Sequence, residues 1–352
     1  MLGTKSTALS LEEGRKLSEN NPDLNVIAPL VSVLIPGWNE SARLPDCVDS
    51  ILALRYPNKE LILCVGGEDA TWELAEQYAC PQVLILKQMP GEGKQKALQR
   101  CFERSSGEII FLSDADCIWD DDAFEVNLRA LREENEAVVT GSWKPLANQT
   151  GKALVQFQWW QHILREVTLP DYVTVVSGCN TALTRKALVQ SGAFLPAAPI
   201  GTDYVLAKEL IRAGFNIRFL RKSRVQTEYP ENASDYIQQR SRWQRNNLVH
   251  GFRYRDWASL LAQSRLILAG IAMLGLPVMV GMNDCYLYIW FCILVYLYLA
   301  QIDLYRRAKK WGGSELRLRP YLGKLVLFLV FDWLASVSGF IEALFSPRRW
   351  RW

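Results

Sequence analysis

Histidine is almost missing from this chain: 352 residues include two, His162 and His250. The eight cysteines form no CxxC pair. Together these absences argue against a zinc site and against a disulfide framework. Single cysteines scattered through apolar runs read instead as small core residues in a reducing compartment. Charge bias is missing too, since Lys and Arg number 40, Asp and Glu 37, and the net charge is +3. No basic stripe runs through the first 200 residues, so a nucleic-acid partner is not expected. The N-terminus has no apolar core followed by small residues, which excludes a signal peptide. Within the N-terminal segment 1–29, residues 8–20 read as a short amphipathic helix, either frayed or resting on a membrane surface.

Phosphate-binding glycine fingerprints are also lacking. No GxGxxG follows the first apolar run, and no GxxxxGK[ST] occurs. PGEGKQKAL (90–98) has the glycines, but its lysine precedes Gln95 rather than Ser or Thr. A dinucleotide dehydrogenase and a P-loop ATPase both lose ground.

Alternation of strands and helices is present. VSVLIP (31–36), LILCV (61–65), VLILK (83–87), EIIFLS (108–113) and VVTGS (138–142) read as strands. Helices are expected over about 42–54, 71–79 and 94–104. This spacing predicts an α/β domain over 30–250, with a mostly parallel sheet and helices on both faces. Ligands of such sheets bind beyond the carboxyl ends of the strands.

Hydrophobic residues make up 49% of the chain, and they concentrate near its end. Runs 266–282 and 286–302 carry no charge apart from the turn between them, and form a candidate transmembrane hairpin after a linker over 251–265. The Tyr and Trp of the second run suit an interface belt. A basic stretch over 303–320 holds Arg306, Arg307, Lys309, Lys310, Arg317 and Arg319. The positive-inside rule puts it, and with it the N-terminal domain, in the cytoplasm. Segment 321–352 is apolar but interrupted by Lys324, Asp332 and Glu342, and ends in a basic tail. It reads as a third span or a re-entrant helix.

Three motifs carry chemistry, each with a plainer alternative. Asp114 and Asp116 follow the fourth strand and point the same way if that strand persists. Two carboxylates there make a hard-oxygen site for Mg2+ or Mn2+, or a polar turn capping the next helix. Asp203, in Gly201-Thr-Asp-Tyr204, is a helix N-terminal carboxylate or a general base. Gln239, Arg242 and Trp243 share one helical face in QQRSRW. An Arg for phosphate and a Trp for a sugar face make a site, whereas interfacial Trp with snorkelling Arg makes a membrane belt.

In this order, a sheet, DAD, TD, QxxRW and membrane helices, the chain resembles a membrane-bound glycosyltransferase of family 2 with the GT-A fold. The resemblance covers roughly residues 30 to 250 and includes VSVLIPGWNE, PGEGKQKAL and VSGCNTALTRKAL. The QxxRW form is similar to that of processive polysaccharide synthases and ceramide glucosyltransferase-like enzymes. The resemblance implies that Pro36 and Glu40 lie beside the nucleotide base and that Lys94 approaches the nucleotide. It also implies that Asp114 and Asp116 hold the diphosphate, with a metal chiefly on Asp116. Asp203 would be the base, and Gln239, Arg242 and Trp243 would close over diphosphate and acceptor. One departure concerns the acid expected after the second strand: Val65-Gly66-Gly67 stand there, leaving Glu68 or Asp69 to substitute. The implied donor is a nucleotide sugar, most simply UDP-linked. The implied acceptor is a membrane lipid, with a polysaccharide as the alternative and oligomerisation open. A catalytically silent membrane scaffold is the reading from another class, and a transporter has too few membrane segments.

Overall fold

The computed structural model describes residues 28–195, 198, 200–281, 283–312, 316–317 and 319–345. The expected helix 8–20 and the tail from Pro347 lie outside these residues.

The chain opens with β1 (Val31–Trp38), α1 (Leu44–Leu52), β2 (Lys59–Gly66), α2 (Thr71–Glu76), β3 (Val83–Lys87), α3 (Gly93–Arg104) and β4 (Ile109–Leu112). Then come α4 (Asp121–Arg132), β5 (Val138–Pro145), α5 (Ala153–Thr168), β6 (Tyr172–Val173), β7 (Thr181–Thr184), α6 (Arg185–Gln190), α7 (Thr202–Arg212) and β8 (Ile217–Thr227). Four long helices end the described chain: α8 (Ala233–Tyr254), α9 (Trp257–Gly275), α10 (Cys285–Gly312) and α11 (Leu325–Phe345).

The eight strands order as β3-β2-β1-β4-β7-β5-β8-β6. β1, β2, β3 and β4 pair in parallel, as do β5 and β8, while β7 runs antiparallel between β4 and β5. The inner strands are continuous apolar runs because helices cover both faces. One face packs Val33, Ile35, Leu63 and Phe111 against Cys47 and Val48 of α1 and Phe124 of α4. The other packs Leu34, Ile62 and Ile110 against Ala97 and Leu98 of α3 and Leu206 and Leu210 of α7. Leu44, Cys47, Val48 and Ile51 show why α1 forms: they recur at helical spacing and all face the core. Asp120 caps α4 by accepting from Ala123 N at 2.8 Å. Pro36 is tolerated in a central strand because it lies past the last β1–β4 pair, Leu34 with Leu112.

Three described helices, Trp257–Met279, Cys285–Gly312 and Tyr321–Phe345, are long and apolar enough to cross a membrane. Most of the large side chains of α10 are exposed, including Tyr288, Phe291, Tyr296 and Leu299. The hairpin starts earlier than its uncharged run: residues 257–265, read as part of a linker, are the first turns of α9. Arg306, Arg307, Lys309 and Lys310 likewise belong to the last turns of α10 rather than to a loop.

The third apolar helix lies along α8, running in the same direction. Tyr236 donates to Asp332, Ser241 Oγ donates to Ala335 O at 3.1 Å, and Arg245 pairs with Glu342 at 3.3 Å. Gly339 permits the approach, since a Cβ there would stand 2.6 Å from Ser241 O. Both acids that interrupt this apolar run therefore have partners on α8.

Candidate active site

The loops after β1, β2 and β4 meet at the carboxyl edge of the sheet. Asn39, at φ 60, turns the chain after β1 and accepts from Glu68 N at 2.7 Å. Asp69 ties the same loops together: Oδ2 accepts from Ser41 N at 3.1 Å and Oδ1 from Thr71 N at 3.1 Å. Burial raises the Asp69 pKa, but hydrogen bonds from Thr71 and Ser41 outweigh it and bring it down to about 2. Asp69 is thus engaged as a loop clamp, while Glu68 is exposed beside it.

β4 does not persist through the two aspartates. It ends at Leu112, and Cys117 N closes a turn onto Asp114 O at 3.2 Å. The strand alternation expected to align Asp114 with Asp116 therefore does not operate. A hydrogen-bonded bridge between Ile118 and Gln226 holds this turn against β8. The bridge brings Thr227 to Asp116, with Oγ1 donating to Oδ2 at 3.0 Å. Asp114 instead pairs with Lys94, its Oδ1 2.6 Å from Nζ.

Lys94, in the first turn of α3, also lies 3.7 Å from Asp203 Oδ1. One ammonium thus joins the D-x-D turn to the acid of α7. Burial works against the Lys94 charge, but Asp114 and Asp203 more than offset it and raise its pKa. Asp203 occupies the first turn of α7 as the sequence indicates. Gly201 precedes that helix at φ 63, where a Cβ would come 2.6 Å from His250 Cδ2. His250 Nε2 in turn bonds Ile200 O at 2.8 Å, fixing the turn from below.

Gly178 lies directly against the Asp203 carboxylate: a Cβ there would stand 2.4 Å from Oδ1 and 2.7 Å from Oδ2. Even so, 44% of the Asp203 side chain remains open. Burial raises its pKa, while Lys94 works to lower it. A carboxylate open at the mouth and enclosed at its walls suits proton abstraction.

Arg242, the arginine of QxxRW, faces this acidic group from α8. Burial lowers its pKa, while Asp114, Asp203 and Asp116 act to raise it. Trp243 is half-buried, with the Arg240 guanidinium 5.1 Å from its ring centroid. Gln239 is half-buried on the same helix. Glu40 sits under the aspartates, and its pKa is pushed up to about 8 by burial and by Asp116, Asp114, Glu228 and Asp69. Its strongest charged neighbours are thus the D-x-D acids. Burial, reinforced by Asp114, also raises Asp116.

Sequence reasoning missed four contributors. Thr227 and Gly178 carry no motif of their own. Asn180 is fully buried and knits β5, α4 and β8 behind the site, bonding Ser142 O at 2.8 Å, Ser223 Oγ at 3.0 Å and Asn127 at 2.8 Å. Tyr229, just past β8, closes the wall towards α5. The nearest signal was VSGCNTALTRKAL, which contains both Gly178 and Asn180.

Comparison with known proteins bears on the family and the fold. The family described as Glycosyltransferase like family 2 matches residues 28–246. The chain belongs to that family. It is 27% identical over 270 residues to a probable glycosyltransferase, YdaM, of Bacillus subtilis (strain 168), covering 72% of this chain and 62% of the relative. It is 26% identical over 254 residues to a poly-beta-1,6-N-acetyl-D-glucosamine synthase of Staphylococcus aureus (strain COL), covering 69% and 60%. The chain therefore spans about three fifths of the length of these relatives. The solved structure of the mannosyltransferase PcManGT from Pyrobaculum calidifontis, in complex with GDP-Man and Mn2+, superposes with a TM-score of 0.57 at 16% identity. That match covers 96% of this chain and 95% of the other, and it supports the GT-A-like fold.

Proposed function

We propose that this glycosyltransferase moves a sugar, with inversion, from a nucleotide-diphosphate donor to a hydroxyl of a membrane lipid. The observation that carries the reading is Lys94, whose ammonium joins Asp114 to Asp203 while Arg242 faces both. Donor-phosphate chemistry and proton abstraction thereby converge on one point. Asp203 takes the proton of the acceptor hydroxyl. The freed oxygen attacks the anomeric carbon, and the bond from that carbon to the diphosphate breaks on the opposite face. The leaving diphosphate gains negative charge, which Arg242 and Lys94 offset. Direct displacement needs one base and no carboxylate nucleophile. Gln239 and Trp243 would sit over the diphosphate and the acceptor. Pro36, Glu40 and the exposed Glu68 would lie on the nucleotide side, with a UDP-sugar as the simplest donor.

A divalent cation fits the acids present. Asp116 and Asp114 offer hard oxygens beside Glu40, and the mutual repulsion of these acids favours added positive charge. Among the described residues no cluster of three His, Cys, Asp or Glu completes a shell. Asp116, with Asp114, would therefore hold Mg2+ or Mn2+ and leave positions for donor phosphates. When bound, the cation supplies Lewis-acid stabilisation of the diphosphate.

The lipid reading is supported by the close junction of catalytic domain and apolar helices. The basic end of α10 supports a catalytic domain on the cytoplasmic side. The contacts of Asp332 and Glu342 with α8 support an interfacial or re-entrant third helix over a simple span. Similarity to a polysaccharide synthase favours one alternative, a polymerising subunit. Asp203→Asn should abolish transfer while nucleotide affinity stays within about threefold. A fully active variant would remove Asp203 from the mechanism. Sizing the labelled product separates one or two sugars on lipid from a long polymer.

A further inference from the structure

Asp203 lies in the first turn of α7, a helix whose amino end has no side-chain cap. The cap position is Gly201, at φ 63 and ψ 41, where helices more often use Ser, Thr, Asp or Asn. A ring from α8 holds this turn instead. His250 is 2% exposed, and its Nε2 lies 2.8 Å from Ile200 O. A carbonyl oxygen only accepts, so Nε2 carries the proton and donates. Burial, aided by Arg253, lowers the imidazole pKa although the bond to Ile200 acts against it. The ring is therefore neutral, and Nδ1 bears no proton. Nδ1 is buried with no hydrogen-bond partner among the described residues.

The same ring supports the chain on both sides of Asp203. Before it, a Cβ on Gly201 would stand 2.6 Å from Cδ2 and 2.7 Å from Nε2, so turn and imidazole are in contact. After it, the Tyr204 ring stacks on His250 at 5.6 Å between centroids and 24° between planes. Packing alone does not account for a histidine here. Phenylalanine would fill the space and stack on Tyr204 without leaving a buried nitrogen unpartnered. What histidine adds is a donor aimed at the turn that leads into Asp203.

Tyr204 carries the attachment to a further helix. Its hydroxyl donates to Asp256 Oδ2 at 2.9 Å, and Lys208 Nζ, one turn along α7, reaches the same oxygen at 2.7 Å. Asp256 Oδ1 accepts from Ser259 N at 3.1 Å and caps α9, the first helix apolar enough to cross a membrane. One carboxylate thus joins the acid-bearing helix to the start of an apolar one. The placement matters because Asp203 sits between Lys94, 3.7 Å away, and the backbone of Gly178. A reacting group stays productive only within about 0.5 Å of its proper place.

We infer that His250 and Asp256 are positioning residues for proton abstraction. His250 sets the turn entering α7, and Asp256 holds the first two turns of that helix to the cap of α9. Both roles rest on the reading of Asp203 as the base. The base is then placed from α8 and α9 rather than by α7 alone.

The test uses the full-length protein in neutral detergent, with Mn2+, a panel of UDP- and GDP-sugars and a total bacterial lipid extract. Release of nucleoside diphosphate gives kcat and the donor KM. His250→Phe keeps a ring to stack on Tyr204 and removes the donor, while His250→Gln keeps a donor. His250→Phe should lose about tenfold or more in kcat with the donor KM within about threefold, and His250→Gln should recover most of the loss. His250→Met, also without a donor, takes its place if that variant does not fold. Tyr204→Phe, which removes the hydroxyl bound to Asp256, should lower kcat by about threefold or more at unchanged KM. In the Asp203→Asn background, His250→Phe should change the residual release by less than about twofold, because the group it positions is gone. Crystal structures of the variants need no donor: Asp203 should move relative to Lys94 by about 0.5 Å or more in His250→Phe and return in His250→Gln. A His250→Phe protein with kcat within about threefold of the parent, or with Asp203 unmoved, overturns the role of His250. A Tyr204→Phe protein as fast as the parent overturns that of Asp256. Equal losses with and without Asp203 place the effect of His250 elsewhere, which overturns its role and keeps Asp203 as the base. A fully active Asp203→Asn protein removes the base and both positioning roles together.

Discussion

Gly178→Ala probes the proposed base without touching it. The added Cβ would stand 2.4 Å from Asp203 Oδ1, where ordinary contacts begin at 3.4 Å. The difference, 3.4 minus 2.4, requires the carboxylate to retreat by about 1 Å. Asp203 has room to do so because 44% of its side chain is open. The fold should therefore survive at a cost of about 1 to 3 kcal/mol. Catalysis has less tolerance, since a displacement of about 1 Å in a reacting group costs on the order of a hundredfold in rate. That loss corresponds to about 2.7 kcal/mol of transition-state stabilisation. Steady-state transfer should fall accordingly, while nucleotide affinity, measured by calorimetry, stays within about threefold. A turnover number within about threefold of the parent would refute the reasoning. It would mean that Asp203 need not occupy this position to act.

Two further outcomes follow from the geometry. Asn180→Ala strips partners from Ser142 O, Ser223 and Asn127 at a fully buried point, which should cost about 3 kcal/mol. The melting temperature should drop by on the order of 5 to 10 °C, and a shift below about 2 °C would contradict the ledger of bonds. Asp69 has a folded pKa of about 2, below the ordinary aspartate value of 3.8, so its contribution is present above pH 3.8 and fades as pH falls through 2. The stability difference between the parent and Asp69→Asn, followed by thermal unfolding against pH, should shrink over that window. A difference that is flat across it would remove Asp69 as the loop clamp.

The sheet was largely readable because of how it is buried. β1, β2 and β4 lie between helical layers, and strands covered on both faces appear as unbroken apolar runs. β8 escaped notice because it alternates: Arg218, Lys222, Arg224 and Gln226 intervene between its inward residues. β7 has four residues, too short for a periodic signal, and its antiparallel insertion depends on neighbours distant in sequence. At the site, Asp114, Asp116, Asp203 and Arg242 stood out because their side chains carry the charge the chemistry needs. The Lys94 bridge between Asp114 and Asp203 did not, since it depends on α3 and α7 sharing a face of the sheet. Gly178 was invisible for a different reason. Its contribution is the absence of an atom, and no residue pattern announces that.

The close seat of Gly339 on Ser241 makes the anchor and the enzyme one mechanical piece. Ser241 is followed directly by Arg242 and Trp243, so the rotation of α11 bears on the azimuth of the arginine proposed to offset the diphosphate. On the proposed reading, a bilayer that thickens, thins or tilts α11 would act on a lever whose short arm ends at the donor diphosphate. The anchor cannot then be exchanged for another apolar helix as a tether would be. Its phase would then be part of the proposed reaction geometry, and the lipid around it a setting of the proposed active site.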